Sequence, residues 1–401
     1  MDNTKIGFGT YRVSDNETHL GALNTAINSG ITTIDTSSNY TNGEAEKCIA
    51  KALKTHKRET LRIISKGGYL QGETLKSYHD NPVQQEVVFY QKGCFHCIEP
   101  TFLEEQLTNS LARLETNYID TYLLHNPEYY LMHHVKSQED KELHQQEMLE
   151  RIYKAFIMLE KEVKKGRIKN YGISSNAFSK KSDALDFLPY ETLVDLAKKA
   201  AQHKTHHFTT IQLPFNMLEI EGLSCIKWAK SQGLEVITNR PLNAFYHQSM
   251  YRLATYPSSE GYEKSKEALL ETASTYQLPD ITRIITDLDS FKSRFSFPDN
   301  AFSTLQQQAF PELKHFIESK KSEELVEIFN KQLPDFFNHY LAFVRAETSK
   351  QAGYALKEAG YEEIKEPLQK IALEFILSHE EVDIVLIGAK NNAYIKELIH
   401  F

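Results

Sequence analysis

The sequence predicts an α/β protein, a (β/α)8 TIM barrel with a large, mainly helical insertion between strand 7 and helix 7. Two observations lead there. Eight short runs rich in β-branched residues recur along the chain, and stretches with apolar residues at helical spacing separate them. Such alternation makes a parallel sheet covered by helices, and eight units favour a closed barrel over an open, doubly wound sheet. At 401 residues the chain exceeds the roughly 250 of a bare barrel, so the surplus lies in insertions or a second domain. We read residues 1–401 as a single barrel with two insertions.

The strands, in order, are IGFGT from Ile6, TTIDTS from Thr32, LRIISKGG from Leu61 and IDTYLLHN from Ile119. KNYGISS from Lys169, TTIQLPFN from Thr209, LEVITNRPL from Leu234 and DIVLIGA from Asp383 complete the set. Among the helices, HLGALNTAINSG stops at Gly30, a C-terminal signal. GEAEKCIAKALKTH follows the second strand, and PTFLEEQLTNSLARLE opens with Pro100, which a first helical turn accepts. EMLERIYKAFIMLEKEVKKG ends in lysines and Gly166, matching the negative end of the helix dipole.

Two regions break the rhythm. Residues 68–99, polar and aromatic, form a loop insertion after strand 3, in which Tyr69 and Phe95 either line a pocket mouth or pack the loop. Residues 245–362 form the larger insertion, in which SEELVEIFNKQL and PDFFNHYLAFVRAE read as two helices separated by Pro334. SFKSRFSFPDNAF in the same region is too aromatic for a disordered linker. Both insertions follow strands, so both are expected on the C-terminal face, where active sites of this fold lie. The larger one is expected to wall or cover the site. LMHHVKSQEDKELHQQ, with His133, His134 and His144, reads as a solvated loop because no carboxylate–histidine spacing supports a metal.

With 41% hydrophobic and 25% charged residues, the composition is that of a soluble globular protein. The net charge of −8 argues against a nucleic-acid partner. No apolar run reaches the roughly 18 residues of a membrane span, and MDNTKIGFGTY lacks a signal pattern, so a cytoplasmic protein is expected. Cys48, Cys94, Cys97 and Cys225 make no disulfide framework for a chain this long. Cys94 and Cys97, with His96 between them, have the form of a redox pair or half a zinc site. No second CxxC or spaced histidine pair completes it, and we read ordinary thiols.

Four residues at strand ends carry chemistry together. Hydride addition to a carbonyl leaves an alkoxide that must be protonated or held by strong donors. A tyrosine serves if a nearby cation lowers its pKa from about 10, a carboxylate positions that cation, and a histidine fixes the oxygen. Asp35 ends the second strand, Tyr40 follows in the next loop, Lys66 ends the third strand and His125 the fourth. Each alone is an ordinary capping, packing or core residue; four at consecutive strand ends are not.

The segments IDTSSNY, ISKGG, LLHNPE, GRIKNYGISSN, IQLPFN and VLIGAKN, in that order, closely resemble the aldo-keto reductase superfamily over about 1–66, 100–244 and 363–401. The resemblance implies a catalytic tetrad in which Tyr40 is the general acid in reduction and the base in oxidation. Lys66 would lower its pKa, Asp35 would hold Lys66, and His125 would orient the carbonyl oxygen. It also implies NADPH, with NADH as the alternative, lying across the C-terminal face without a Rossmann domain. The chain accordingly lacks a GxGxxG turn after a strand. Ser174, Ser175 and Gln212 match the positions that hold the nicotinamide amide, with Ser175 where many relatives have Asn.

Departures accompany the match. Asn239 stands where many relatives stack a Tyr on the nicotinamide, and Arg240 beside it becomes a pyrophosphate candidate. Gly388, Lys390 and Asn391 resemble the adenosine-phosphate segment, and Lys390 tilts the choice toward NADPH. Tyr394 replaces an Arg or Gln common in NADPH users, and Leu398 a frequent adenine-holding Asn. Many relatives continue into a specificity tail, whereas this chain ends at Phe401. The 245–362 insertion is expected to take over that role.

The reading is an oxidoreductase acting on an aldehyde, ketone or sugar carbonyl, with a small-molecule partner and neither nucleic acid nor membrane. The alternative is a non-catalytic, nicotinamide-binding regulatory or scaffold protein on the same fold. A metal-dependent hydrolase is set aside, since only His125 and Asp35 stand at suitable strand ends.

Overall fold

A computed structural model describes residues 3–202, 205–319, 322–362 and 364–399. The chain divides into two compact units, Met1–Pro241 with Glu374–Phe401, and Leu242–Leu373. In the first unit every β-rich run becomes a barrel strand: β1 (Ile6–Gly9), β2 (Thr33–Asp35), β3 (Arg62–Gly67), β4 (Ile119–His125), β5 (Ile168–Ser174), β6 (Phe208–Pro214), β7 (Glu235–Asn239) and β8 (Ile384–Ile387). The sheet closes in the order β1-β8-β7-β6-β5-β4-β3-β2, and the neighbouring strands pair in parallel.

Register determines which side chains meet at the mouth. His125 lies opposite Ser174, Ser174 opposite Gln212, and Gln212 opposite Ile237, so these share one face of the sheet. Ile64, Leu123, Ile237, Ile384 and Leu386 form a buried cluster. Side chains alternate along a strand, so Lys66, His125 and Asn239, each two residues beyond Ile64, Leu123 and Ile237, sit on the same face one layer nearer the C-terminal end.

The covering helices are α1 (Glu17–Asn28), α2 (Glu44–Leu53), α3 (Pro100–Arg113), α4 (Gln138–Lys164), α5 (Leu193–Ala201), α6 (Leu223–Ser231), α7 (Leu368–Leu377) and α8 (Asn392–Ile399). Asn16 caps α1 by accepting from the His19 amide, and Gly30, with φ +93°, follows its C-terminal end. The histidine-rich stretch differs from expectation. Tyr129–His134 is a short helix, and α4 begins at Gln138, where Ser137 and Asp140 form a reciprocal capping box.

Residues 68–99 are structured too. Tyr69–Leu70, Cys94–His96 and Val88–Gln91 build a three-stranded antiparallel sheet with Cys94–His96 central, and Gly72–Asp80 is helical. Gln106 of α3 fastens this element. Its Oε1 accepts from the Gly68 amide and Ser38 Oγ, both at 3.1 Å, and its Nε2 donates to the Tyr69 carbonyl at 3.0 Å. All four cysteines are buried thiols. Among the described residues no group of three or more His, Cys, Asp or Glu could hold a metal ion, and no helix is long and apolar enough to cross a membrane.

The second unit opens with a hairpin, Asn243–Tyr246 against Ser249–Arg252, turned by His247 and Gln248, both with positive φ. Helices Tyr262–Thr275, Pro279–Phe291, Phe310–Ser319 and Glu323–Glu358 follow, among others. The two helices expected around Pro334 are one helix of 36 residues with the proline inside it. An interior proline costs about 3 kcal/mol. Phe329 before it and Phe336, Phe337, Tyr340 and Val344 after it are buried in one cluster with Tyr262, Leu269 and Ile285. Continuous burial on both sides outweighs the lost backbone bond.

Close packing between β5 and β6 generates a stability prediction. A Cβ at Gly172 would lie 2.0 Å from the Thr210 carbonyl oxygen, a backbone atom that cannot rotate away. Gly172→Ala should therefore destabilise the protein by about 2 kcal/mol or more. Urea unfolding followed by circular dichroism measures this, and an unchanged midpoint would contradict it.

Candidate active site

Lys66 is fully buried, and each of its three ammonium protons has an acceptor: Asp35 Oδ1 at 2.6 Å, the Thr36 carbonyl at 2.8 Å and Tyr40 Oη at 3.2 Å. Burial draws its pKa down, and the Asp35 carboxylate opposes that shift. The second Asp35 oxygen accepts from Gln212 Nε2 at 2.8 Å. Its backbone carbonyl accepts from both the amide and the hydroxyl of Thr10 at 2.9 Å.

Tyr40 opens a short turn, Tyr40–Gly43, in which Thr41 and Asn42 are left-handed at φ 47° and 55°. A β-branched residue rarely adopts that conformation. Thr41 Oγ1 donates to the Val13 carbonyl at 2.5 Å and holds the turn there. The Tyr40 ring is partly exposed, with Tyr11 edge-on at 5.3 Å. Its oxygen accepts from Lys66, while its own proton has no acceptor among the described residues. Burial, then the charge of Asp35, then Tyr11 push its pKa well above the ordinary phenol value. The direction is opposite to the expected lowering by Lys66. Asp35 sits against the ammonium and offsets its field, and desolvation penalises the phenolate, so the proton stays on Tyr40.

His125 is buried, and burial together with the charge of Lys66 pulls its pKa well below the usual value, leaving a neutral ring. Its Nδ1 lies 3.1 Å from Ser37 Oγ. Its backbone carbonyl lies 2.6 Å from Nε2 of His96, a buried imidazole pushed down to about 4 by desolvation. The rings of Tyr40 and Tyr69 stand edge-on to His125 at 6.0 and 4.8 Å. Tyr69 is buried rather than lining a mouth: it accepts from Asn126 Nδ2 at 2.6 Å and donates to Tyr129 Oη at 2.8 Å. Sequence reasoning missed Ser37, His96, Asn126 and Tyr129 as neighbours of the histidine. Ser37 and Asn126 stood inside the quoted segments; nothing in the sequence pointed from residues 68–99 back to His125.

The expected cofactor residues fall into two groups. At the barrel mouth, Ser174 Oγ donates to Gln212 Oε1 at 2.8 Å. Gln212 thus spends one acceptor site and one N–H within the protein and keeps one of each. Ser175 Oγ donates to Glu128 Oε2 at 2.8 Å and accepts from the Ala177 amide. Glu128, also missed, is buried, which raises its pKa to about 7. Asn239 Oδ1 is buried with no hydrogen-bond partner among the described residues. Arg240 has a positive φ of 56°, and its Nη2 donates to Glu219 Oε1 at 2.6 Å. Beyond β8, Gly388 and Lys390 are exposed, and Asn391 Oδ1 caps α8 by accepting from the Tyr394 amide at 3.1 Å. The side chain of Leu398 lies outside the described residues.

The model of the aldo/keto reductase family matches residues 5–401. The chain belongs to this family. Aldo-keto reductase YhdN of Bacillus subtilis (strain 168) is 28% identical over 136 residues, which are 32% of this chain and 36% of that protein. The chain therefore spans about a third of the length of that curated relative. The holo form of aldo-keto reductase AKR11C1 from Bacillus halodurans superposes with a TM-score of 0.51 at 16% identity, over 99% of this chain and 85% of that one. At that identity the likeness is one of fold. An aldo/keto reductase from Klebsiella pneumoniae, crystallised with NADP and acetate, has 22% identity and a TM-score of 0.38 over 59% of this chain and 64% of its own.

The buried imidazoles generate a pH prediction for this family member. His96 titrates near 4 when folded against about 6.5 in an unfolded chain, so its contribution is fully present above pH 6.5 and is lost as pH falls toward 4. His125 acts in the same direction. One such proton gives a slope of up to about 1.4 kcal/mol per pH unit. Calorimetric Tm should fall between pH 6.5 and 5, more steeply in wild type than in His96→Gln; parallel curves would refute the assignment.

Proposed function

We propose that this reductase moves a hydride between NAD(P)H and an aldehyde, ketone or sugar carbonyl, with Tyr40 as general acid in reduction and general base in oxidation. The observation that carries this reading is the Tyr40 hydroxyl, whose oxygen is anchored by a buried ammonium and whose proton has no acceptor among the described residues. NADPH is the cofactor, with NADH the alternative, and when bound it supplies the hydride. The residues present fit such a group. Asn239 Oδ1 is a buried acceptor waiting for a donor, and Gln212 retains the acceptor and the donor that a carboxamide needs. Ser174 and Ser175 hold that rim, while Arg240, Gly388, Lys390 and Asn391 are the candidates for the phosphates, with Lys390 the exposed cation for a 2′-phosphate.

In reduction, His125 orients the carbonyl oxygen and Tyr40 delivers its proton to the oxygen as negative charge develops there. Lys66 stabilises the resulting phenolate through the 3.2 Å contact, and Asp35 keeps Lys66 charged and in place. In oxidation the same phenolate takes the proton from the alcohol.

Tyr40→Phe should lower kcat by about 10²- to 10⁴-fold and leave cofactor affinity, measured by fluorescence quenching, unchanged. Because the phenol is held protonated, reduction should be flat with pH through neutrality, and oxidation of the alcohol should rise with pH. A pH-independent oxidation, or a Tyr40→Phe protein that turns over normally, would remove Tyr40 from the role. Asn239→Ala should weaken NADPH by about fivefold, the worth of one hydrogen bond of about 1 kcal/mol. If wild type binds neither nicotinamide, the fold serves a non-catalytic function.

A further inference from the structure

We propose that Glu128, through its bond to Ser175, makes the nicotinamide rim an acceptor surface that takes the carboxamide by its NH2 group. The proposal rests on the oxidoreductase reading above, in which Ser174, Ser175 and Gln212 hold that carboxamide. The turn after β4 brings Glu128 there. Asn126 is left-handed at φ 52°, a conformation asparagine tolerates, and its amide donates to the Ser174 carbonyl at 2.7 Å. The Glu128 carboxyl is then buried against the turn that leaves β5. Oε1 accepts from the Asn176 amide at 2.9 Å, and Oε2 accepts from Ser175 Oγ at 2.8 Å.

Groups with a fixed role settle the direction of each bond at this rim. Ser175 Oγ accepts from the Ala177 amide at 3.0 Å, a backbone group that only donates, and gives its one proton to Glu128. It keeps one lone pair and no proton. Ser174 gives its proton to Gln212 Oε1, and Gln212 Nε2 gives one of its two to the Asp35 carboxylate. Among the described residues, nothing takes up the remaining lone pairs of both serines and of Gln212 Oε1, or the second N–H of Gln212. A carboxamide meets that pattern in one way, with its NH2 toward the serines and its carbonyl toward Gln212 Nε2.

Glu128 controls the sign of Ser175 in this pattern. The Asn176 amide requires a lone pair from Oε1, so a proton added to the carboxyl sits on Oε2 and faces Ser175. Ser175 then accepts from both Glu128 and the Ala177 amide, and its own proton turns toward the carboxamide, where it opposes the NH2 group. Burial raises the pKa of Glu128 to about 7. The bonds from Ser175 and from its own and the Asn176 amides oppose that rise, and the charge of Asp186, itself 3.6 Å from Lys180, adds to it. Tyr129 and Tyr69, the neighbouring titratable groups, are held protonated by burial. The acceptor form of Ser175 is thus complete above neutrality and is lost as pH falls through about 7. Glu128 is therefore a positioning residue that acts on the cofactor through Ser175.

Glu128→Gln fixes the neutral arrangement, since its Oε1 must face the Asn176 amide and its Nε2 then donates to Ser175. The probes are NADP and its 3-acetylpyridine analogue, in which a methyl group replaces the NH2, titrated by quenching of protein fluorescence. At pH 8 wild type should bind NADP about tenfold more tightly than the analogue. Glu128→Gln should lose most of that preference by weakening NADP alone, and its intact affinity for the analogue separates this effect from misfolding. Between pH 8 and 6 the wild-type ratio of affinities should fall toward that of Glu128→Gln, whose own ratio should stay constant. Ionisation of the 2′-phosphate, common to both probes, cancels in the ratio. A preference that survives Glu128→Gln, a wild-type ratio independent of pH, or equal binding of the two probes by wild type at pH 8 would overturn the proposal alone. Wild type that binds neither probe would overturn the cofactor reading, and the proposal with it.

Discussion

Lys66 has no exposed surface, and its neighbours are arranged so that it keeps its charge there. A lone ammonium transferred from water into a protein interior loses several kcal/mol of solvation. Here three acceptors replace three water contacts, and one of them is an ionised carboxylate. The arrangement propagates outward. Asp35 is held by Gln212, Gln212 by Ser174, and Ser174 stands level with His125 across one strand pair. A change at Lys66 therefore reaches the rim through direct hydrogen bonds, with no need for backbone movement.

The same pair sets the protonation states around it. Burial first and the cation second keep His125 neutral, and burial first and the charge of Asp35 second keep the phenol of Tyr40 protonated. A protonated tyrosine beside a neutral histidine is the pairing that the proposed proton delivery requires. Glu128 lies along the same rim, where burial holds its pKa near neutrality while it fastens Ser175 and the Asn176 amide. Protons at this end of the barrel are thus placed by burial as much as by charge.

The insertion at residues 68–99 is part of this end of the barrel. Its three-stranded sheet supplies Tyr69 and His96, which pack on the ring and bond the carbonyl of His125. Gly68, with φ +146°, passes so close that a Cβ there would meet His96 Nε2 at 2.8 Å and the His125 carbonyl at 2.9 Å. Gln106 ties the segment to α3. The histidine is consequently held from the barrel side by Ser37 and from the insertion side by His96 and Tyr69.

The sequence by itself determined the eight strands, the covering helices and the meeting of Asp35, Tyr40, Lys66 and His125. Short runs rich in β-branched residues, separated by helical stretches, suit strands buried on both faces of a closed parallel sheet. Strand ends then bring Asp35, Lys66 and His125 to one rim, and Tyr40 reaches it from the turn after β2. Tertiary structure decided what depends on contacts distant in sequence. Pro334 marks a helix break by local rules, yet aromatic burial on both sides carries the helix through it. Residues 68–99 have no strand periodicity long enough to read, and their sheet is fastened by contacts distant in sequence, among them Gln106, 37 residues from Tyr69. The sign of the Tyr40 shift was likewise hidden, because sequence places a lysine and a carboxylate near the phenol but does not show how far burial strips it of water. Composition and spacing report which groups are available; burial decides which of them keep their protons.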